Sequence, residues 1–356
     1  MDEATILERL VARYSPSGRE KAAVSEFVSI ARTLGYTTRI DGVGNGVAWR
    51  GRGRPEVLFL GHIDTVEGDR AVRRVRGRVH GRGVVDAKGA IAAALLAGRG
   101  FRGPGALRVV AAVGEETDSR GARHLLPGRR PDAVIVGEPS GWQGVTMGYK
   151  GELRLEASFR GRRTHYASPV PTTTDRAIDW IGAVKGAVAT RQGEGPFRSL
   201  MVKAIGFESR SGEDPEAARV TLDVRIPPGL SSRDAQRLLP PRSGSSSVRV
   251  LARFEAVEVS RTDPVVVALS AGIRAQGGVP TLWRKSGTSD LNLVVPAWGI
   301  PGAAYGPGNA RLDHTDREVL SLAELRRSVE VLRSAIGDLV LRGRPALTAQ
   351  RSAGGP

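Results

Sequence analysis

Three short apolar runs in this chain each stop on a residue that a transition metal would bind. VLFLG ends at Gly61 and delivers His62, RVVAAVG ends at Gly114 and delivers Glu115 and Glu116, and AVIVG ends at Gly137 and delivers Glu138. Two more candidates are Asp86, in GRGVVDAKG at the start of a helical stretch running to Gly98, and His314, in RLDHTD. Two imidazoles and several carboxylates with no thiolate suit one or two divalent ions of the zinc or cobalt type and suit a purely structural zinc poorly. Asp64, two residues past His62, is spaced to hydrogen-bond the far nitrogen of that imidazole, although His-x-Asp also arises by chance. Glu115 and Glu116 are adjacent, and on a strand end neighbouring side chains diverge. One could hold a metal while the other handles protons; fully exposed, the pair would be only a solvated turn.

Short β-branched runs bounded by glycine read as buried strands, and open parallel sheets gather ligand groups just beyond their strands' carboxyl ends. Up to about Tyr149 such runs alternate with helical stretches, the pattern of an α/β protein. From Gly151 the order changes to strand (152–159), helix (172–191), strand (200–207), strand (219–226), helix (231–239) and strand (248–259). That βαββαβ succession is the ferredoxin-like unit. After Asp263 the α/β pattern resumes and closes on a helix over 322–341. His314 follows the insertion while the other candidates precede it, so one domain is expected to be discontinuous, 1–150 with 260–345, around an inserted 151–259. The last residues, 346–356, read as a frayed tail.

The formal net charge of +16 comes almost wholly from arginine, since only 6 of the 53 basic residues are lysine. Either arginine, glycine, alanine and proline have accumulated together through compositional bias, or a basic surface attracts an acidic partner. The basic residues are scattered and no nucleic-acid-binding signature is present, so nucleic acid is not the expected partner. No apolar stretch approaches the roughly 20 residues that span a bilayer, and the acidic, amphipathic start MDEATILERLVARYSPSG lacks the character of a secretory signal. A cytoplasmic protein without a membrane segment is expected. Cysteine is absent, which removes disulfides and thiolate nucleophiles.

The blocks GHIDTVEGD, GRGVVDAKGA, VGEETDSRGA, VGEPSG, RRTHYASP and RLDHTD resemble, in order and over nearly the whole chain, those of the dinuclear zinc aminoacylase and carboxypeptidase superfamily. Acetylornithine deacetylase and succinyl-diaminopimelate desuccinylase belong to it. The resemblance implies a zinc-exopeptidase-like α/β catalytic domain, its mixed central sheet flanked by helices, with a ferredoxin-like lid through which two copies dimerise. It implies that His62 and Glu138 hold one metal, Glu116 and His314 a second, and Asp86 bridges them, with Glu115 as general base. His165 matches a lid histidine that reaches a neighbouring active site to steady an oxyanion, and Arg225, in LDVRIPPG, a lid arginine that grips a substrate carboxylate. Two divalent ions, zinc or cobalt, would acidify a water and polarise the scissile carbonyl.

Within that superfamily, VGEPSGW, MGYKGEL, KSGTSDLN and AYGPGNARLDHTD are most similar to the branch that frees lysine, or in some organisms ornithine, from a small acidic amino-group carrier protein. There the amino acid hangs by its α-amino group from the γ-carboxyl of the carrier's terminal glutamate. Arg225 and the backbone amides of the turn Gly306 to Gly308 would then hold the α-carboxylate, and the basic composition would steer the acidic carrier. The alternatives are a small-molecule deacylase with the same metals, or a basic binding module that has kept a metalloprotein fold. No G-x-S-x-G turn supports a serine hydrolase.

Overall fold

The computed structural model describes residues 1–210, 214–241 and 245–342; the tail expected at 346–356 lies outside the described residues. The chain forms two units. The first comprises Met1–Val145, Val259–Leu282 and the chain from Ala297, and the second Thr146–Glu258 with Trp283–Pro296.

The first unit opens with α1 (Glu3–Val11) and α2 (Lys21–Thr33), followed by β1 (Thr37–Ile40), β2 (Gly46–Arg52) and β3 (Glu56–His62). The Asp2 carboxylate starts α1 by accepting the Thr5 N–H at 2.7 Å, one of the donors a helix start leaves unpaired. A hairpin of β4 (Arg73–Val75) and β5 (Arg78–His80) precedes α3 (Lys88–Ala97), β6 (Gly105–Ala112), α4 (Arg120–Leu125) and β7 (Ala133–Gly137). Every residue of β3 and of α3 is buried, as expected of a central parallel strand and of a helix apolar on all sides. Burying Leu58, Phe59 and Leu60 contributes about 1.5–3 kcal/mol each. Helix and strand lie so close that a Cβ on Gly61 would sit 2.9 Å from Ile91 Cγ1. The glycine just before the strand's last residue is therefore what lets α3 pack against it.

The second unit takes over within β8 (Gly144–Tyr149). It holds β9 (Gly151–Gly161), α5 (Thr173–Ala189), the single turn α6 (Gly195–Arg198), β10 (Met201–Arg210), β11 (Glu216–Ile226), α7 (Ser232–Arg237), β12 (Ser245–Phe254) and β13 (Val257–Glu258). Its sheet runs β10-β11-β9-β12, antiparallel throughout. Leu153, Leu155, Val220 and Leu222 from the strands and Trp180 from α5 form its core, and a capping box of Thr172 and Asp175 starts α5. The strand expected to run to Val259 breaks after Phe254 and resumes at Val257, and at the break the Glu255 carboxylate accepts the Ser232 N–H at 2.9 Å.

The chain continues through α8 (Pro264–Ala275), β14 (Thr281–Lys285), α9 (Leu291–Trp298), β15 (Gly302–Ala304), β16 (Val319–Ser321) and α10 (Leu322–Arg342). The expected unbroken return over 260–345 is interrupted: Trp283–Pro296 belongs to the second unit, where Asn292 donates to the carbonyls of Lys150 (3.0 Å) and Glu255 (2.8 Å). In the first unit the sheet runs β1-β2-β6-β3-β7-β15. β2 is antiparallel to both neighbours, and β6, β3, β7 and β15 are parallel. A small second sheet, β16-β5-β4, belongs to the same unit, and α10 packs along α3 and α8.

Candidate metal centre

Parallel register brings the ligand-bearing strand ends together. Gly61 pairs with Gly137 and His62 with Ala112, so His62 ends β3 beside Glu138, which follows β7, and beside the turn that follows β6. Glu138 is buried at 9% exposure. Asp86 arrives on the turn before α3, and His314 just after a short 3-10 helix, Ala310–Leu312.

Asp86 is the hub. Its Oδ1 lies 3.0 Å from His62 Nε2 and its Oδ2 3.1 Å from His314 Nε2, and His314 Nε2 is also 3.0 Å from Glu116 Oε1. One ligand atom each from His62, Asp86 and Glu116 lies within 4.8 Å of the others. Nitrogen and carboxylate donors so close, with one carboxylate offering its two oxygens to different imidazoles, suit a divalent-metal site. Without cations, protons carry the cluster. Burial pushes the Asp86 carboxyl up, but hydrogen bonds from His314 and His62 outweigh it and hold the group far below the usual carboxylate range. Hydrogen bonds to Asp86 and Glu116 raise His314 to about 10. His62 is likewise raised well above its ordinary value, burial opposing the shift and the neighbouring Asp64 and Asp86 carboxylates prevailing. His314 also sits in the left-handed backbone region, φ 61°, which costs a non-glycine residue about 1–3 kcal/mol unless its surroundings impose it.

Asp64 does something other than expected. His62 Nδ1 meets the Asp64 backbone carbonyl at 3.0 Å, whereas the carboxylate is 3.7 Å away. That buried carboxylate instead accepts the N–H groups of Glu115 and Glu116, both at 3.1 Å, and the Ser17 hydroxyl at 2.6 Å. Glu115 and Glu116 therefore stand on a turn three residues beyond β6, and Asp64, rather than strand alternation, fixes where they point. Gly114 makes the turn possible. Its φ is 75°, and a Cβ there would lie 2.2 Å from an Arg120 nitrogen.

The backbone amides expected to hold a substrate carboxylate are already engaged. The Gly306 N–H donates to Ser140 Oγ at 3.2 Å and the Gly308 N–H to Glu324 Oε1 at 2.9 Å, so their hydrogens face the protein. In the second unit His165 is exposed in the loop after β9, its Nδ1 accepting the Ala167 N–H at 3.1 Å. Arg225, on β11, chelates Asp223 through Nε (2.7 Å) and Nη2 (2.9 Å), and its Nη1 lies 3.4 Å from Glu152.

Buried charged groups lie near these candidate ligands in the sequence. Lys88 is fully buried, its amine donating to the Arg13 carbonyl at 2.7 Å, and burial pushes it down to about 7. Arg82 and Glu318, both buried, form an ion pair at 2.7 Å. Arg82 was visible in the same GRG block as Asp86, and Glu318 four residues after His314.

The fold and the centre define a class. Residues 58–338 match the model of peptidase family M20/M25/M40, and the chain belongs to that family; it is a metal-dependent hydrolase of amide bonds. Among its relatives it is 36% identical to the LysW-lysine hydrolase of Deinococcus radiodurans, over 94% of this chain and 96% of that one. It is 34% identical to a putative LysW-lysine/LysW-ornithine hydrolase of Pyrococcus furiosus, over 95% and 97%. Among solved structures, an M20 family metallo-carboxypeptidase of Sulfolobus solfataricus aligns with a TM-score of 0.80 at 16% identity, covering 96% of this chain and 100% of the other. A tripeptidase of Staphylococcus aureus aligns at 0.79 with 17% identity, over 96% and 99%.

Proposed function

We propose that the protein releases lysine from a small acidic amino-group carrier protein of the LysW kind. It would hydrolyse the amide between the lysine α-amino group and the γ-carboxyl of the carrier's terminal glutamate. The observation that carries this reading is Asp86, placed between His62 and His314 beside two adjacent glutamates, in a chain whose near full-length relatives are named for that reaction.

His62 and Glu138 would hold one divalent cation, Glu116 and His314 another, and Asp86 both; zinc or cobalt suits these donors. Bound there, the cations would supply Lewis-acid polarisation of the scissile carbonyl and a water acidic enough to lose its proton near neutral pH. Glu115 would take that proton and deliver it to the leaving α-amine, while Asp64 holds the amides of both glutamates and Glu116 turns to His314. We assign Arg225 to the α-carboxylate of the released amino acid; it is one quarter exposed, and the Asp223 carboxylate orients it. Gly306 and Gly308 shape that turn rather than donate to substrate.

We further assign a homodimer through the second unit, in which His165 serves the partner's site. The edge strand β10 carries exposed Ile205 and Phe207, which supports edge-to-edge pairing. No described helix is long and apolar enough to cross a membrane, and we place the reaction in the cytoplasm. Mass analysis of products from the metal-loaded protein decides the substrate. Free lysine from carrier-linked lysine, with little acetate from acetylornithine, is expected, and the reverse preference would overturn the reading. If the +16 charge steers the carrier, the apparent second-order rate falls steeply between low and physiological salt; a flat profile would leave compositional bias as its explanation.

A further inference from the structure

Arg82 and Glu318 touch no candidate ligand atom, yet they tie together the segments that carry the ligands. Glu318 Oε2 accepts the backbone N–H groups of Gly83 (3.0 Å), Val85 (3.2 Å) and Asp86 (3.5 Å), the turn that presents Asp86. Its Oε1 takes Arg82 Nη1 at 2.7 Å. Arg82 then reaches outward: Nη1 donates to the carbonyl of Thr315, directly after His314, at 3.0 Å, and Nε to the carbonyl of Gly68, beyond His62, at 2.9 Å. The small sheet sets this arrangement. Val319 of β16 pairs with His80 of β5, so Glu318 and Arg82 emerge from neighbouring strand ends on the same side of the pair.

A buried ion pair is weak evidence of stabilisation by itself, because desolvation offsets most of its attraction. Here the guanidinium fork and the two-oxygen carboxylate are used at nearly every position, and their other partners, apart from the Asp316 carboxylate 3.5 Å from Arg82 Nη2, are backbone groups. Arginine suits the task because its rigid fork can hold several acceptors at once. His314, directly before the Thr315 carbonyl that Arg82 holds, lies in the left-handed backbone region, φ 61°.

We propose that Arg82 and Glu318 are positioning residues, a clamp that sets the spacing of Asp86 and His314 and so determines how tightly and in what geometry the centre holds its metal. The proposal rests on the metal-centre reading above, and the test separates the two. Wild-type, Glu318→Gln and Arg82→Lys proteins are titrated with Zn(II) and with Co(II), the cobalt forms being read by visible absorption, and kcat and KM are measured on carrier-linked lysine. Glu56→Gln is the comparison: Glu56 forms an ion pair with Arg108 at 2.8 Å in the same unit, at the opposite end of β3 from His62.

Both clamp variants should bind metal about 10- to 100-fold more weakly, with an altered cobalt spectrum and a fall in kcat at nearly constant KM. Glu56→Gln should lose thermal stability but keep wild-type metal affinity and spectrum. If Glu318→Gln does not fold, Arg82→Lys, which keeps the charge but loses the fork, carries the same comparison. The clamp alone is overturned if wild-type protein binds metal and turns over while a folded clamp variant binds as tightly with the same cobalt spectrum. It also falls if Glu56→Gln weakens metal binding equally. If wild-type protein takes up neither ion, the metal-centre reading itself fails, and the clamp with it.

Discussion

The two ends of β3 hold buried charge in opposite ways. At its amino end Glu56 pairs with Arg108 at 2.8 Å, with Arg129 at 3.8 Å, and Asp132 nearby pairs with Arg54 at 3.3 Å. Cations there match or exceed carboxylates, and nothing more is needed for neutrality. About 20 Å along the strand, at its carboxyl end, Asp64, Asp86, Glu115, Glu116 and Glu138 gather around His62, while the buried basic side chains Lys88 and Arg82 are held by the Arg13 carbonyl and by Glu318. The same strand is thus closed by salt bridges at one end and left short of positive charge at the other. That shortage marks the functional end, because carboxylates this crowded are stable only with cations or protons among them.

The sharpest test of this contrast is Glu115→Gln. It should lower kcat by about 10²–10⁴-fold with metal content unchanged, whereas Glu116→Gln should lose metal. The opposite pattern in metal analysis would mean that the two glutamates exchange roles. The next largest effect belongs to the closed end. Glu56→Gln leaves Arg108 without its close partner and should cost about 1.5–3 kcal/mol, a lowered melting temperature with normal turnover. An unchanged melting temperature would show that the ion pairs there only decorate the surface.

The smallest effect is a pH dependence of the metal-free protein. His314 is raised from 6.5 to about 10 by its hydrogen bonds to Asp86 and Glu116. A folded-state value above the unfolded one stabilises fully below pH 6.5, and that stabilisation is lost as pH climbs toward 10. Metal-free wild type should therefore lose more thermal stability over that interval than metal-free His314→Gln. Equal losses would mean that the imidazole does not depend on those carboxylates.

Three of the candidate donor positions were legible from a local pattern, a β-branched run, a glycine, then a donor at His62, Glu115 and Glu138, whereas Asp86 and His314 follow no such run. The ferredoxin-like order was legible for the same reason, since alternation along Glu152–Phe159 and Arg219–Ile226 reports directly on which face is buried. What escaped depends on contacts between distant segments. Spacing alone offers Asp64 to the His62 ring, but the chain turns after β3 and presents a backbone carbonyl there, freeing the carboxylate for amides some fifty positions away. Glu318 is one of three acids in RLDHTDREVL, and it is the pairing of β16 with β5 that brings it to the backbone of Asp86. The displacement of Trp283–Pro296 into the second unit has no local signature either, because it depends on Asn292 finding carbonyls at Lys150 and Glu255.

Ser17 gives the amino-terminal segment a role beyond packing. Its hydroxyl reaches Asp64 at 2.6 Å, Ser15 bonds the Ile63 carbonyl at 2.7 Å, and Pro16 bridges to Thr65. The first turns of the chain are thereby stitched under the very loop that aims both glutamates. A protein shortened to begin at residue 58, where the family match starts, would keep every proposed ligand and still lose the floor on which the proton carrier stands.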